Sequence, residues 1–367
     1  MGKITIIAEP KMFTLSGLPN WIQFTGEQYS GDAEVHLTIE DANGGHIVTM
    51  QKSLISGSVV WFDVNAAFKA YSDYYRPSPP PGEWFDAGTC HTYGATLRVI
   101  DGGSTEEVYV NKGLVVLQGW GRPSDTNDLS EYSARTAPFK LLSNRPTTYY
   151  IPGQREFINF LPGISGKPFR VVYEAYSTSG VFLGSRDYLG EVGFIRNTVN
   201  THVLDIDAIL AKYPTAGIVR VFLLGDETVS NKQEYAIRPE CLHTLRPFFF
   251  LNRFGGWECF NFDADVKEEV THDVETYSRT LTPFYKRGES LEAVSTVSLN
   301  NTFTVEGAPV SDEVAEWLKE LALSRVVLDG EGNYIIIEDF KLMVSADNRN
   351  MQIPTIKYRL GEALQNG

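Results

Sequence analysis

The sequence predicts a mainly β protein, with two duplicated β-sandwich domains that each carry one short helix, followed by a C-terminal α+β domain. Two distant segments repeat the same capped helix, and both are flanked by strand-like runs that break at glycine-bearing turns. The last third opens on an aromatic hairpin and then carries the clearest helix of the chain. With 367 residues, the chain exceeds one ordinary domain of about 100–150 residues, so several compact units are expected.

The duplication rests on Phe62-Asp63-Val64-Asn65-Ala66-Ala67-Phe68-Lys69-Ala70-Tyr71 and Leu204-Asp205-Ile206-Asp207-Ala208-Ile209-Leu210-Ala211-Lys212-Tyr213, which align without a gap. In each, an aspartate (Asp63 or Asp205) stands where an N-cap accepts orphan backbone amides. Apolar residues then recur at helical spacing up to a closing tyrosine, so each segment is expected to be a short amphipathic helix. Upstream, residues 34–39 and 169–174 read as strands that run into turns at Asn43-Gly44-Gly45 and Ser179-Gly180; downstream, residues 96–100 and 218–222 read as strands again. The sandwiches are therefore expected at 1–125 and 138–245, joined by a linker at 126–137 that lacks apolar periodicity.

Between its helix and its next strand the first copy carries extra chain, residues 72–93, which includes Arg76-Pro77-Ser78-Pro79-Pro80-Pro81-Gly82-Glu83-Trp84-Phe85. Prolines lack amide donors and favour an extended path, so this arm is expected to be exposed. Trp84, Phe85, Pro79 and Pro80 are its candidate anchors on a neighbouring subunit; the alternative is an ordinary surface loop.

The C-terminal domain is expected over 246–367. The run Phe250-Leu251-Asn252-Arg253-Phe254-Gly255-Gly256-Trp257-Glu258 combines apolar residues with a Gly-Gly turn, the pattern of a hairpin with one buried face. Ser311 precedes Asp312 and Glu313 and an i, i+3/i+4, i+7 apolar series, which marks a capped helix. A second hairpin is expected where residues 324–328 and 334–338 flank Asp329-Gly330-Glu331-Gly332-Asn333, with a last strand at 354–360.

The formal charge of −14 opposes a nucleic-acid-binding surface, which needs clustered Lys and Arg. The apolar run after Met1 stops at Glu9 and Pro10, too short for a signal peptide or a membrane span. Cys90, Cys241 and Cys259 form no CxxC pair and are expected to be unpaired, without a metal; a zinc site from Cys90-His91 and Cys241-x-His243 is the weaker reading. Residues 263–269 are acidic but lack the turn glycine and distal glutamate of a calcium loop, and read as a charged edge that blocks sheet-to-sheet pairing. No phosphate-binding loop, dinucleotide fingerprint, zinc-protease helix or nucleophile elbow occurs, and no two carboxylates are visibly paired for glycoside hydrolysis. No enzyme and no cofactor are expected.

The segments Pro10-Lys11-Met12-Phe13-Thr14-Leu15-Ser16-Gly17-Leu18-Pro19-Asn20, Trp61-Phe62-Asp63-Val64 and, most specifically, Leu251-Asn252-Arg253-Phe254-Gly255-Gly256-Trp257 resemble structural proteins encoded in tail gene clusters of phages and prophages of gut anaerobes. One departure is Leu18-Pro19, where that group often has Asn-Pro. The resemblance runs along most of the chain and implies a virion component of the tail tip or baseplate, made in the bacterial cytoplasm, with no catalytic residue. The expected mechanism is self-association and docking to other tail proteins. Neck, capsid-decorating and fibre roles stay open, as does a module that binds a host surface glycan through aromatic residues.

Overall fold

A computed structural model describes residues 2–70, 73–122, 124–134, 138–162, 169–190, 198–225, 228–238, 243–280, 292–344 and 351–361. The protein is mainly β, as the alternating patterns require. It divides into two compact units rather than three: one comprises Met1–Glu240, Phe250–Cys259 and Leu323–Arg325, the other Cys241–Phe249, Phe260–Ala322 and Val326–Gly367. Both sandwiches belong to the first unit. The tip of the aromatic hairpin belongs there too, instead of to the expected domain at 246–367.

The first repeat contains β1 (Lys3–Ala8), β2 (Phe13–Leu15), β3 (Trp21–Glu27), β4 (Glu34–Asp41), β5 (His46–Ser53), β6 (Val59–Asp63), β7 (Trp84–Asp86), β8 (Cys90–Asp101) and β9 (Ser104–Leu117). The second contains β10 (Thr148–Tyr150), β11 (Phe157–Phe160), β12 (Phe169–Tyr176), β13 (Phe182–Gly190), β14 (Asn200–Val203), the helix α1 (Ile206–Lys212), β15 (Ile218–Leu224) and β16 (Gln233–Ile237).

The large sheets run β2-β9-β8-β4-β5 and β10-β16-β15-β12-β13, the same order strand for strand, and in both the short first strand pairs parallel to the last. The small sheets pair β3 with β6 and β11 with β14. Two cores result, one around Ile22, Phe24, Val35, Leu37, Phe62 and Tyr93, the other around Phe160, Tyr173, Ile206, Ile209, Val219 and Tyr235.

Asp63 and Asp205 occupy equivalent caps, as the aligned strings required. The Asp205 carboxylate accepts from the Ala208 amide at 3.3 Å and starts an α-helix. That of Asp63 accepts from Asn65, two residues on, and the Val64–Phe68 turn is a 3-10 helix instead of the expected α-helix. The cause lies in Asn65. Its buried amide donates to the carbonyls of Leu15 and Leu18 and its oxygen accepts from the Tyr93 hydroxyl, which draws the first turn tight. The matching Asp207 lies further out and accepts from the Tyr150 hydroxyl and the Gly153 amide.

Residues 126–137 are not a free linker where they are described. Asn127 caps the carbonyls of Leu15, Leu18 and Pro19, and the Leu129 amide donates to Phe13. Residues 135–137 lie outside the described set.

The hairpin strands are β17 (Leu245–Leu251) and β18 (Trp257–Asp263). Then come β19 (Val266–Ser278), β20 (Glu292–Glu306), β21 (Val310–Ser311), the helix α2 (Asp312–Leu323), β22 (Val327–Leu328), β23 (Ile335–Val344) and β24 (Met351–Leu360). Ser311 caps α2 through the Val314 amide. The expected hairpin at 324–338 is only a single bridge between Leu328 and Tyr334, because β22 joins β17 while β23 pairs with β24. The main sheet of the second unit runs β19-β20-β24, with β23 on the far side of β24.

Candidate functional site

Within the second unit, β19 and β20 form a long antiparallel ribbon in register from Val266↔Val305 to Ser278↔Glu292, with one bulge beside Glu275. Side chains directly opposite share a face. One face therefore carries Val266 and Val305, Glu268 and Phe303, Val270 and Asn301, His272 and Leu299, Val274 and Val297, and Thr276 and Val294; the other carries Lys267, Glu269, Thr271, Asp273, Glu275 and their Thr, Ser and Asn partners, and then Tyr277 and Ala293. At the base the apolar face is core: Val305 is buried and Phe303 stacks on Tyr358. Further out the same face stands in solvent, with Val270 56% exposed, Val294 56%, Val297 46% and Leu299 50%. The outer edge of β19 pairs with no strand among the described residues. A two-stranded hairpin is marginally stable alone in water, and an apolar stripe beside an unpaired edge is a pattern that marks interaction surfaces. Of the acidic residues expected to form a charged edge at 263–269, Glu268 and Glu269 lie in this edge strand, while Asp263 ends β18, where it is buried and accepts from the His243 amide.

The sequence-predicted anchors lie elsewhere. β7 is a strand of the second repeat's small sheet: Trp84 pairs with His202, Phe85 with Thr201 and Asp86 with Asn200. The Gly82 amide donates to Val203, Val203 to Glu83, and Ala87 to Val199. Trp84 meets Phe160 edge-on at 5.3 Å and lies 4.4 Å from the His202 ring, while Phe85 meets Phe157 at 6.4 Å. The Pro79 carbonyl accepts from Arg155, and Pro80 is exposed. Arg76, Ser78, Pro80 and Pro81 of the arm are exposed, as its prolines predict, but Trp84 and Phe85 are half-buried against the second repeat instead of standing out as free anchors. The arm's aromatic end fastens the first repeat to the second, and residues 71 and 72 at its start lie outside the described set.

The buried His202 under this strand has a titration consequence. Burial holds its imidazole down to about 3, opposed only partly by the backbone of Glu83. The unfolded chain takes up this proton near pH 6.5 and the fold does not, so stability from this group is complete above 6.5 and is lost as pH falls towards 3. Between about pH 6 and about pH 4 the loss from this site alone is roughly 2–3 kcal/mol. Urea titrations across that range are expected to show a shallower loss for His202→Phe than for the wild type; parallel curves would contradict the assignment.

The motif hairpin is an internal plug of the first unit. Asn252 Oδ1 accepts from the amides of Phe254 and Gly256 and shapes the turn, and its amide donates to Leu142 O and Glu258 Oε1, both at 2.7 Å. Gly255 holds φ +78°, which favours glycine. A Cβ on Gly256 would stand 2.5 Å from the Asn159 side chain. Arg253 pairs with Asp125 at 2.5 Å, the Trp120 amide donates to the Arg253 carbonyl, Thr89 donates to the Gly255 carbonyl, and Trp257 Nε1 donates to Tyr75 O at 2.9 Å. Beneath it lies a buried charge cluster. Arg145 forms a bidentate pair with Glu156 and donates to Thr148, while Glu258 accepts from Ser143 and Asn252. Burial pushes the Glu156 carboxyl up, and Arg145 pulls it back.

Chemistry beyond packing is sparse. Burial pushes the Cys90 thiol upward, away from the thiolate that a metal needs. Cys259 is buried, and Cys241 lies outside the described residues. Among the described residues no three His, Cys, Asp or Glu side chains gather to hold a metal, and no helix is long and apolar enough to cross a membrane. A cleft of about 460 Å³ in the second unit is lined by Arg246, Phe248, Phe303, Asp329, Glu331 and Tyr358 among others. Its rings pack on one another, Phe248 against Tyr358 at 5.4 Å and Phe303 against Tyr358 at 5.3 Å.

No family model matches this sequence, and no curated protein does. Among solved structures, a marsupial T cell receptor chain aligns over 83% of this chain and 95% of its own at 8% identity, with a TM-score of 0.19, which carries no argument about fold or function.

Proposed function

We propose that this protein is a non-enzymatic structural component of a phage tail, of the tail-tip or baseplate type, that works by self-association and by docking to other tail proteins. The observation that carries the self-association is the β19–β20 ribbon, a two-stranded element with an apolar stripe and an unpaired edge in solvent. Within the first unit the two sandwiches are locked together by β7 and by the motif hairpin. The tail setting is supported by the likeness of Leu251-Asn252-Arg253-Phe254-Gly255-Gly256-Trp257 to tail structural proteins. The charge of −14 accords with protein partners rather than nucleic acid.

A glycan-binding role has less behind it. Trp84 is packed inside the chain, and over the exposed Trp61 the Lys52 ammonium sits 3.7 Å from the ring centroid, where a sugar would stack. The test of the tail assignment is mass spectrometry and immuno-electron microscopy of purified particles from a host strain that encodes this chain. The expected result is a fixed copy number at the distal end of the tail; particles that lack the chain would refute the reading.

A further inference from the structure

The two repeats share a topology but not their coverings. In the second repeat the small sheet is closed: Phe157–Phe160 and Asn200–Val203 are buried throughout. β7 occupies the free edge of β14, and the outer face meets the hairpin tip, where Asn159 donates to the Trp257 carbonyl at 2.7 Å and accepts from Thr201. Counting back from the equivalent caps Asp205 and Asp63 matches Val203 with Trp61 and Thr201 with Val59. In the first repeat this same face is open. Trp61 is 46% exposed, Val59 57%, and Trp21 meets Trp61 edge-on at 4.7 Å. The edge of β6 away from β3 carries no strand among the described residues.

One detail shows that this edge is set up like its counterpart. In the second repeat the Val203 carbonyl accepts from the arm amide of Gly82. In the first, the matching Trp61 carbonyl accepts from Lys52 Nζ at 2.7 Å. A flexible lysine stands in for the missing strand, a device that blunts an edge without closing it.

We infer that the open small sheet of the first repeat is the acceptor for the β19–β20 ribbon of a second copy of this chain, an assignment that rests on reading the ribbon as the self-association surface. The ribbon supplies what β7 and the hairpin tip supply in the second repeat: an unpaired strand edge for β6 and an apolar face for Trp21, Val59 and Trp61. Glu268, which shares the ribbon's apolar face, provides a carboxylate for the Lys52 ammonium that the incoming strand displaces from Trp61. Donor and acceptor are different surfaces, so the contact is heterologous and repeats from copy to copy into a closed ring or an open filament.

The test uses the full chain with the photoreactive residue benzoylphenylalanine in place of Trp61, mixed with a ¹⁵N-labelled wild-type copy, irradiated and mapped by mass spectrometry. Expected are mixed-isotope adducts within residues 266–278 or 292–306, and a self-association at least about tenfold weaker for Val59→Glu/Trp61→Glu with unchanged circular dichroism and melting. Adducts elsewhere, or a Val59→Glu/Trp61→Glu variant that associates like the wild type while Val270→Glu/Val297→Glu does not, would overturn the acceptor and leave the ribbon reading intact. A wild type that never associates overturns both.

Discussion

Replacing Arg145 by Met is expected to destabilise the first unit by about 3–5 kcal/mol, the cost of removing one partner from a buried ion pair. The magnitude follows from what remains. Glu156 loses both of its guanidinium bonds, and Glu258 stays buried nearby, accepting from Ser143 and Asn252. Neither carboxylate reaches water. Burial and the charge of Glu258 both push the Glu156 carboxyl up, and with Arg145 gone nothing of comparable size opposes them. A carboxyl whose pKa is raised in the fold binds its proton more tightly there than in the unfolded chain, so the deficit should shrink as pH falls. Urea unfolding followed by tryptophan fluorescence at two pH values is the measurement. An Arg145→Met midpoint equal to that of the wild type would mean that the cluster adds nothing.

The double variant Trp84→Ser/Phe85→Ser is expected to cost about 2–4 kcal/mol, somewhat below full core truncations because both rings are only half-buried. It strips the packing from Phe160, His202 and Phe157, and it loosens the strand whose amides pair with Val199 and Val203. Hydrogen exchange should quicken at Ala87 and Val203 before the core of the first repeat responds. The prolines alone suggest the reverse outcome, outward anchors whose loss spares the fold. Unchanged stability with impaired assembly would restore that reading.

The duplication was legible because two independent signals, capping chemistry at Asp63 and Asp205 and the phase of the apolar residues after them, agreed in one alignment. Strand order then followed in both copies. The destination of the arm was not legible. β7 is three residues long, and its partner β14 lies far along the chain, so no local pattern announces their pairing. The proline run described the approach correctly and the end wrongly. Asn65 hid a 3-10 turn because its side-chain partners, Leu15, Leu18 and Tyr93, are assembled only by the sandwich. The ribbon is not legible in the sequence for a different reason. Val270, His272 and Val274 do alternate, but Thr, Asn and Ser interleave β20, and alternation says that one face is apolar without saying whether anything covers it. In Leu251-Asn252-Arg253-Phe254-Gly255-Gly256-Trp257 the sequence marked a hairpin, yet its hydrogen bonds to Leu142 and Tyr75 give the string an internal fastening role that no spacing rule reveals.

Sedimentation velocity of the full 41.0 kDa chain over a wide concentration range measures whether the amphipathic ribbon drives self-association. The wild type should sediment as multiples of the chain mass. Val270→Glu/Val297→Glu, which puts two charges on the exposed apolar face and touches no core residue, should sediment as a folded monomer with unchanged circular dichroism. A wild type that stays monomeric at every concentration, or a charged variant that assembles as well as the wild type, would contradict the account.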